Sequence, residues 1–338
     1  MANSSLKRKE GPAVKDLVVI VTYNSSDFIE SCLRSLVPLL KDRYDCIILD
    51  NASRDGTAGK VEKLLEELDS RDTRLIRSPK NLGFAGGIDR IVFGLDKPDI
   101  YGNLILLNPD VLLQEDTLDE LTRPLSERDI FVAGGLILEM DRNGNRDDAT
   151  IQQAGGVIGD NYITRHLYSK KSYGTFKKEA KKEKPYYETD YASGALLATK
   201  MDIFIDLGGF DTGYRPAYFE ELDYCLLIRS LGGKTVINPA SKAWHYQGSS
   251  VESYSKRFYE YYHKNRIRCA IINLGIRGFF NTFLPEERDW LKVSATSDQR
   301  WPLFYAYFLN LLFLPYNLAV KIRRKSLIKK IGRKTVSK

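Results

Sequence analysis

The chain has 338 residues, 43% hydrophobic and 28% charged, a composition that excludes a disordered polypeptide and supports one large core or two modest ones. The formal charge of +7 is concentrated at one end: nine Lys or Arg and no acid lie between Lys321 and Lys338, leaving the rest of the chain at −2, which argues against a nucleic-acid-binding body. Cys32, Cys46, Cys225 and Cys269 form no CxxC or Cys/His pattern, so a disulfide framework and a structural zinc site are set aside and a reducing compartment is expected.

Residues 1–14 carry Lys7, Arg8 and Lys9 before Glu10, Gly11 and Pro12, without an apolar stretch of signal-peptide length. They are expected to be flexible, and the protein cytoplasmic. Leu17 to Thr22 is then a short β-branched run, and Asp27 to Leu40 places Phe28, Cys32, Leu33 and Leu36 at helical spacing. Cys46–Asp50 predicts a second strand, Val61–Leu68 a second helix, Arg74–Arg77 a third strand and Asn103–Asn108 a fourth. Apolar strands alternating with helices predict a mainly parallel sheet covered on both faces, with ligands bound beyond the carboxyl ends of the strands. The polar clusters fall at those ends: Thr22-Tyr23-Asn24-Ser25, Asp50-Asn51 and Asn108-Pro109-Asp110.

Asp50 can accept an N–H from a nucleobase, although Asp55-Gly56 downstream also reads as a plain turn. Pro109 fixes a turn from which the Asp110 carboxylate projects, suiting Mg²⁺ or Mn²⁺, which need few protein ligands when phosphates supply the rest. On the tripeptide alone, a cap for the next helix is the favoured role for Asp110. Arg165 to Lys184 holds eight Lys or Arg without a clear period and reads as a mobile surface loop. Further on, Glu220, Glu221 and Asp223 precede an apolar helix. Acids there complement the helix dipole, and paired carboxylates beside Tyr218 and Phe219 also suit a general base. His245 beside Trp244 is either a core histidine or a metal ligand.

The order of these segments, from about Leu17 to Arg268, resembles glycosyltransferase family 2, particularly its rhamnosyltransferase-like members. Val19-Ile20-Val21-Thr22-Tyr23-Asn24 is similar to the family's opening strand and nucleotide loop, Asp50-Asn51 to its base-binding Asp, and Asn81-Leu82-Gly83-Phe84-Ala85-Gly86-Gly87 to its donor loop. Asn108-Pro109-Asp110 looks like its DxD variant, with Asp110 as metal ligand. Ser193-Gly194-Ala195 and Gly208-Gly209-Phe210-Asp211 resemble acceptor-side segments, Asp223 is grouped with them, and His245 falls where some members supply a metal-binding His. Two positions depart from the pattern. Asp89 stands where Asn is common, and Glu221 stands where the base is usually Asp, so Glu220, Glu221 and Asp223 all remain candidates, with Glu221 preferred.

The resemblance implies a GT-A fold over 15–270, with a nucleotide-binding half to about 135 and an acceptor-binding half beyond it. It implies an inverting enzyme that moves a sugar from a nucleoside diphosphate, dTDP-rhamnose or a UDP-sugar among the candidates, to a glycan or polyprenyl-linked acceptor in cell-surface polysaccharide synthesis. A nucleotidyltransferase would want Gly, Lys or Arg in the first loop, which Thr22-Tyr23-Asn24-Ser25-Ser26 lacks. A catalytically silent carbohydrate-binding scaffold is the other rival, and a homodimer is compatible with the sequence. Residues 271–338 form an apolar, then basic, extension. Trp301 to Val320 has the length of a membrane span but is broken by Pro302, Asn310, Pro315 and Asn317. The expectation is a peripheral helical segment on the anionic inner face of the cell membrane, with a helix buried on the protein as the alternative.

Overall fold

The computed structural model describes residues 14–141, 143–180, 185–246 and 255–336. Most of the N-terminal segment expected to be flexible lies outside these. In the first half, strands β1 (Lys15–Thr22), β2 (Tyr44–Asp50), β3 (Thr73–Arg77) and β4 (Tyr101–Leu107) alternate with helices α1 (Ile29–Leu40), α2 (Thr57–Glu67) and α3 (Gly83–Val92). β5 (Val111–Leu113), α4 (Thr117–Thr122), β6 (Ile130–Met140), β7 (Arg146–Gln153), β8 (Gly156–Ile158), β9 (Thr164–His166) and α5 (Tyr173–Ala180) follow. Next come β10 (Tyr187–Glu188), β11 (Leu196–Lys200), α6 (Met201–Asp206), α7 (Glu220–Ser230) and β12 (Lys234–His245). The chain ends in α8 (Lys256–Asn273), α9 (Ile276–Gly278), α10 (Leu284–Val293), α11 (Arg300–Leu312) and α12 (Leu314–Val336).

The main sheet runs β10-β12-β6-β11-β4-β1-β2-β3, with β5 on β12 and β7 on β6. β4, β1, β2 and β3 are parallel, as the apolar runs predict. β11 enters antiparallel to both β4 and β6, so the sheet is mixed. Alternation along β1 explains the two layers: Leu17 and Val19 join one apolar cluster with Leu104 and Leu106, and Val18 and Ile20 join another with Ile105 and Leu107. A strand buried on both faces cannot show a polar period, and each such side chain contributes about 1.5–3 kcal/mol.

Two expectations change. The basic stretch read as a mobile loop contains β9 and α5 within its described part; residues 181–184 lie outside it. α5 is held by Phe176, which is buried against Tyr168 at 4.7 Å and Tyr187 at 6.3 Å, so a few aromatics outweigh the polar composition around them. The extension boundary at 270 falls inside α8, and α11 and α12 both pack on that helix.

Candidate active site

Three loops gather at the carboxyl edge of the parallel strands, where the sequence predicts the donor. β1 and β2 pair in register up to Thr22 and Asp50, and the Thr22 hydroxyl donates to the Asp50 carboxylate at 3.2 Å. The Ser53 N–H donates to the other Asp50 oxygen at 3.1 Å, and Asn24 Oδ1 accepts from the Arg54 N–H at 2.9 Å. Asn24 is left-handed (φ 52°), a conformation Asn tolerates because its short side chain bonds locally. Tyr23 beside it is exposed. Asp55 accepts from the Thr57 N–H at 3.1 Å across the left-handed Gly56 (φ +86°), which supports the turn reading of Asp55-Gly56.

Asn51 ties in the third loop. Its Nδ2 donates to Asn81 Oδ1 and to the Gly83 carbonyl, each at 3.1 Å, while its Oδ1 accepts from the Leu82 N–H at 2.8 Å. Gly83 has φ +76°, and a Cβ there would stand 2.9 Å from the Pro216 carbonyl, so both backbone conformation and space demand glycine. The Phe84 N–H donates to that same carbonyl at 3.2 Å, joining the donor loop to the segment ahead of α7.

Asp110 does not cap a helix; the strand β5 follows it. β5 pairs antiparallel with the end of β12, matching Val111 to His245, and this register brings His245 Nε2 to 3.3 Å from Asp110 Oδ1. Trp244 points the other way into the core, as alternation requires. Gln152, at the end of β7, completes the arrangement. Its Nε2 donates to the His245 carbonyl at 3.0 Å, so its Oε1 faces His245 Nδ1 at 2.7 Å and takes that nitrogen's proton in a hydrogen bond. With Nδ1 as the donor, the neutral imidazole presents its Nε2 lone pair on the side of Asp110, as a metal-ligating histidine must. Two electron-rich groups converging on one point fit a divalent cation. Among the described residues no third His, Cys, Asp or Glu joins them, which suits an ion whose remaining ligands are phosphate oxygens and water.

The acidic pair is tied to the same region through β11. Asn108 donates its N–H to the Ala195 carbonyl at 3.0 Å, so the Asn108–Asp110 turn abuts the Ser193–Ala195 segment that opens β11. The Gly194 N–H supports the Glu221 carboxylate, as do the N–H groups of Glu221 and Leu222. Gly194 is the close approach here, since a Cβ would lie 3.3 Å from the Phe84 ring and 3.8 Å from the Glu221 carboxyl carbon. Burial raises the Glu221 carboxyl above its usual 4.5 and these N–H donors pull it back. Glu220 lies deeper; burial and the neighbouring Glu221 hold its carboxyl well above the carboxylate range, favouring its neutral form. The two adjacent acids therefore differ: Glu220 is buried and held toward its neutral form, whereas Glu221 is only half-buried and keeps backbone N–H donors on its carboxylate.

A strained turn presents them. Tyr218 (φ 79°) and Phe219 (φ 77°) are consecutive left-handed residues, each costing on the order of 1–3 kcal/mol. Asn265 on α8 holds them by donating to the carbonyls of Ala217 at 2.9 Å and Tyr218 at 3.0 Å. Asp223 is placed elsewhere: buried, it accepts from Asn273 Nδ2 at 2.7 Å and from Arg324 Nη1 at 2.6 Å, facing the C-terminal helix rather than Gly194. Nothing in the sequence flags Gln152, Asn265 or Arg324, because their roles arise from contacts across distant elements.

A mixed sheet with these polar loops at the carboxyl edge of its parallel strands, a carboxylate–histidine pair and an adjacent acidic pair are the architecture of a glycosyltransferase. The profile of Glycosyl transferase family 2 matches residues 17–207, and the chain belongs to that family. It is a glycosyltransferase, and rhamnosyltransferases are among the proteins it is similar to. It is 23% identical over 242 residues to the N-acetylglucosaminyl-diphospho-decaprenol L-rhamnosyltransferase of Mycobacterium tuberculosis, covering 69% of this chain and 76% of that protein. Rhamnosyltransferase WbbL of Escherichia coli is also 23% identical, over 74% of this chain and 90% of that one. Among solved structures, GalNAc-T7 with UDP, GalNAc and Mn²⁺ superposes with a TM-score of 0.62 at 17% identity, covering 78% of this chain and 48% of that one. The mannosyltransferase PcManGT of Pyrobaculum calidifontis with GDP-Man and Mn²⁺ gives 0.54 at 15% identity, over 98% and 87% of the two chains. These likenesses establish the GT-A fold.

Proposed function

We propose that the protein transfers a sugar, with inversion, from a nucleoside diphosphate donor to a hydroxyl of a glycan or polyprenyl-linked acceptor at the inner face of the cell membrane. The observation that carries this reading is the convergence on one sheet edge of a nucleotide-binding loop set, the Asp110–His245 pair and Glu221. The two rhamnosyltransferase relatives favour dTDP-rhamnose over a UDP-sugar as donor, and the decaprenyl-linked substrate of one favours a lipid-linked acceptor.

Asp50, Asn51, Asn24 and Thr22 hold the base and ribose, Tyr23 offers an exposed ring beside them, and the loop from Asn81 to Phe84 lies against the sugar. Glu221 takes the acceptor hydroxyl proton as that oxygen bonds to the anomeric carbon, and the bond from that carbon to the diphosphate breaks with its electron pair leaving on the phosphate. Asp110 and His245 would hold Mg²⁺ or Mn²⁺, which neutralises the departing diphosphate. Ser193 and Gly194 border the acceptor, and Glu220, kept neutral, avoids a second charge beside the base.

The test is a screen of nucleotide sugars with Mn²⁺, scored by nucleoside diphosphate release, on the parent, Glu221→Gln and Glu220→Gln. Glu221→Gln should lower transfer on the order of 100- to 10,000-fold with donor affinity kept, and Glu220→Gln should do less harm. Equal inertness of parent and variants on every donor would replace the enzyme with the silent carbohydrate-binding reading.

A further inference from the structure

The C-terminal helices present their surface in an unusual sense. The two asparagines that interrupt the apolar run point into the protein: Asn310 Nδ2 donates to the Lys264 carbonyl at 2.9 Å, and Asn317 Nδ2 donates to Asn310 Oδ1 at 3.2 Å. Pro302, Leu303 and Ala306 also face inward. Outward stand Phe304 (63% exposed), Phe308 (54%), Leu311 (71%) and Leu312 (60%), a stripe at helical spacing, continued across the helix break by Phe313 and by Leu318 and Ile322 on α12. A helix apolar all round is at home only in a core or in lipid, and this one has a core on one side alone.

The charge pattern selects among occupants. From Trp301 to Val336 there is no Asp or Glu, and beyond Ile322 the exposed face of α12 turns basic through Arg323, Lys325, Lys329 and Lys330. An apolar, aromatic stripe that passes into uncompensated positive charge matches the acyl-to-headgroup gradient of an anionic bilayer; a second copy of this chain would bring the same positive charge. No single helix among the described residues is long and apolar enough to span a membrane; α11 and α12 reach that length and apolarity only as a pair bent by 67°, and because Pro302, Leu303, Ala306, Asn310 and Asn317 pack one side of the pair on the protein, the arrangement suits a pair lying along an interface.

We infer that the outward face of α11 and the first half of α12 is a docking surface for an anionic lipid bilayer, with the basic second half of α12 on the headgroups. This deepens the proposed function by fixing where the enzyme meets a membrane-borne acceptor, and rests on that reading only for the acceptor. The surface is rigidly joined to the site: Lys321 Nζ donates to the Ile271 carbonyl at 2.8 Å, and Arg324 grips Asp223, two residues beyond Glu221 on α7. A chain cut before Trp301 would lose these contacts, so the test keeps the full chain.

The experiment is co-sedimentation with vesicles of phosphatidylcholine alone or mixed with phosphatidylglycerol, for the parent, Phe304→Ser/Phe308→Ser/Leu311→Ser, and Lys325→Gln/Lys329→Gln/Lys330→Gln. The parent should bind the anionic vesicles and lose binding with salt. The apolar triple variant should weaken binding on the order of 100-fold, and the charge variant should bind both vesicle types equally weakly. Melting temperatures and nucleoside diphosphate release in lipid-free solution should match the parent in both variants. Vesicle binding that survives in both variants overturns the proposal, as does a parent that ignores vesicles and instead forms a dimer the apolar variant breaks. Vesicle binding without turnover of any donor would sink the transferase reading and leave the surface standing.

Discussion

Arg324→Met tests whether the C-terminal helix is part of the catalytic domain's stability or an appendage to it. Arg324 forks onto both oxygens of Asp223, one contact at 2.6 Å, and also reaches Asp211 at 3.3 Å. Only 13% of its side chain and 2% of that of Asp223 are exposed, so the pair is shielded from water and salt. Methionine keeps the length and apolar stem and removes the charge. Asp211 retains Arg268 at 2.7 Å, whereas Asp223 keeps Asn273 and loses its cation. Breaking a buried pair from one side costs ~3–5 kcal/mol, against about 0–1 kcal/mol for an exposed one. That is a large share of the 5–15 kcal/mol typical of a folded domain. The assay is urea unfolding followed by tryptophan fluorescence, comparing midpoints at constant slope, with Asp223→Leu and the double variant closing a cycle. The double variant should recover most of the loss, because no charge is left stranded. A single-variant loss below about 1 kcal/mol, or a cycle that is simply additive, would refute the argument and return α12 to the status of a loose tail.

Asp110→Asn should abolish Mn²⁺-dependent binding of a nucleoside diphosphate in calorimetry while leaving metal-independent binding in place, since an amide is a poor substitute for an anionic ligand of a hard cation. Gln152→Leu should free the His245 ring and weaken metal affinity on the order of 10- to 100-fold with little change in melting temperature; unchanged affinity would mean that the strand register alone orients His245. Asp89→Asn should alter the pH dependence of stability, because burial, reinforced by Asp211 and opposed by the Phe210 N–H, lifts the Asp89 carboxyl from 3.8 to about 7. A carboxyl raised on folding contributes most below its unfolded value and loses that contribution as pH rises through about 7. Parent and variant should therefore be close near about pH 4, and the variant more stable by on the order of 2–4 kcal/mol above about pH 8. A difference independent of pH would show that Asp89 is ionised throughout.

The donor half was legible because its determinants are local. A continuous apolar run such as Leu17–Thr22 encodes a strand buried on both faces, and the polar residues that must sit at its end follow within a few positions. Thr22, Asp50 and Asn51 could be assigned to one edge without any long-range contact, whereas Asn81 was placed only by the resemblance to the family's loop. Asp110 was ambiguous because a turn preceding a strand and one preceding a helix look alike locally; the pairing of β5 with β12 decides it, and that pairing spans more than a hundred residues. The stretch from Arg165 to Lys184 misled for the opposite reason. Lys177 and Lys178 lie on the exposed face of α5, while the order comes from Phe176 on the hidden one.

The acceptor half owes its shape to α8, and this joins the remaining observations. From that helix Asn265 holds the strained Tyr218–Phe219 turn that aims the acidic pair, Arg268 pairs with Asp211, and the carbonyls of Lys264, Ile271 and Leu274 accept from Asn310 and Lys321 of the last two helices. Arg324 then closes the ring onto Asp223 in α7. Every link is polar, directional and largely buried, so the members shift together or not at all. The acid proposed to accept a proton and the face proposed to meet lipid therefore sit on one polar framework, while the loops proposed to hold the nucleotide follow the parallel strands. On the proposed reading, a membrane-borne hydroxyl meets Glu221 at the height and tilt that α8 gives to α7 above the bilayer.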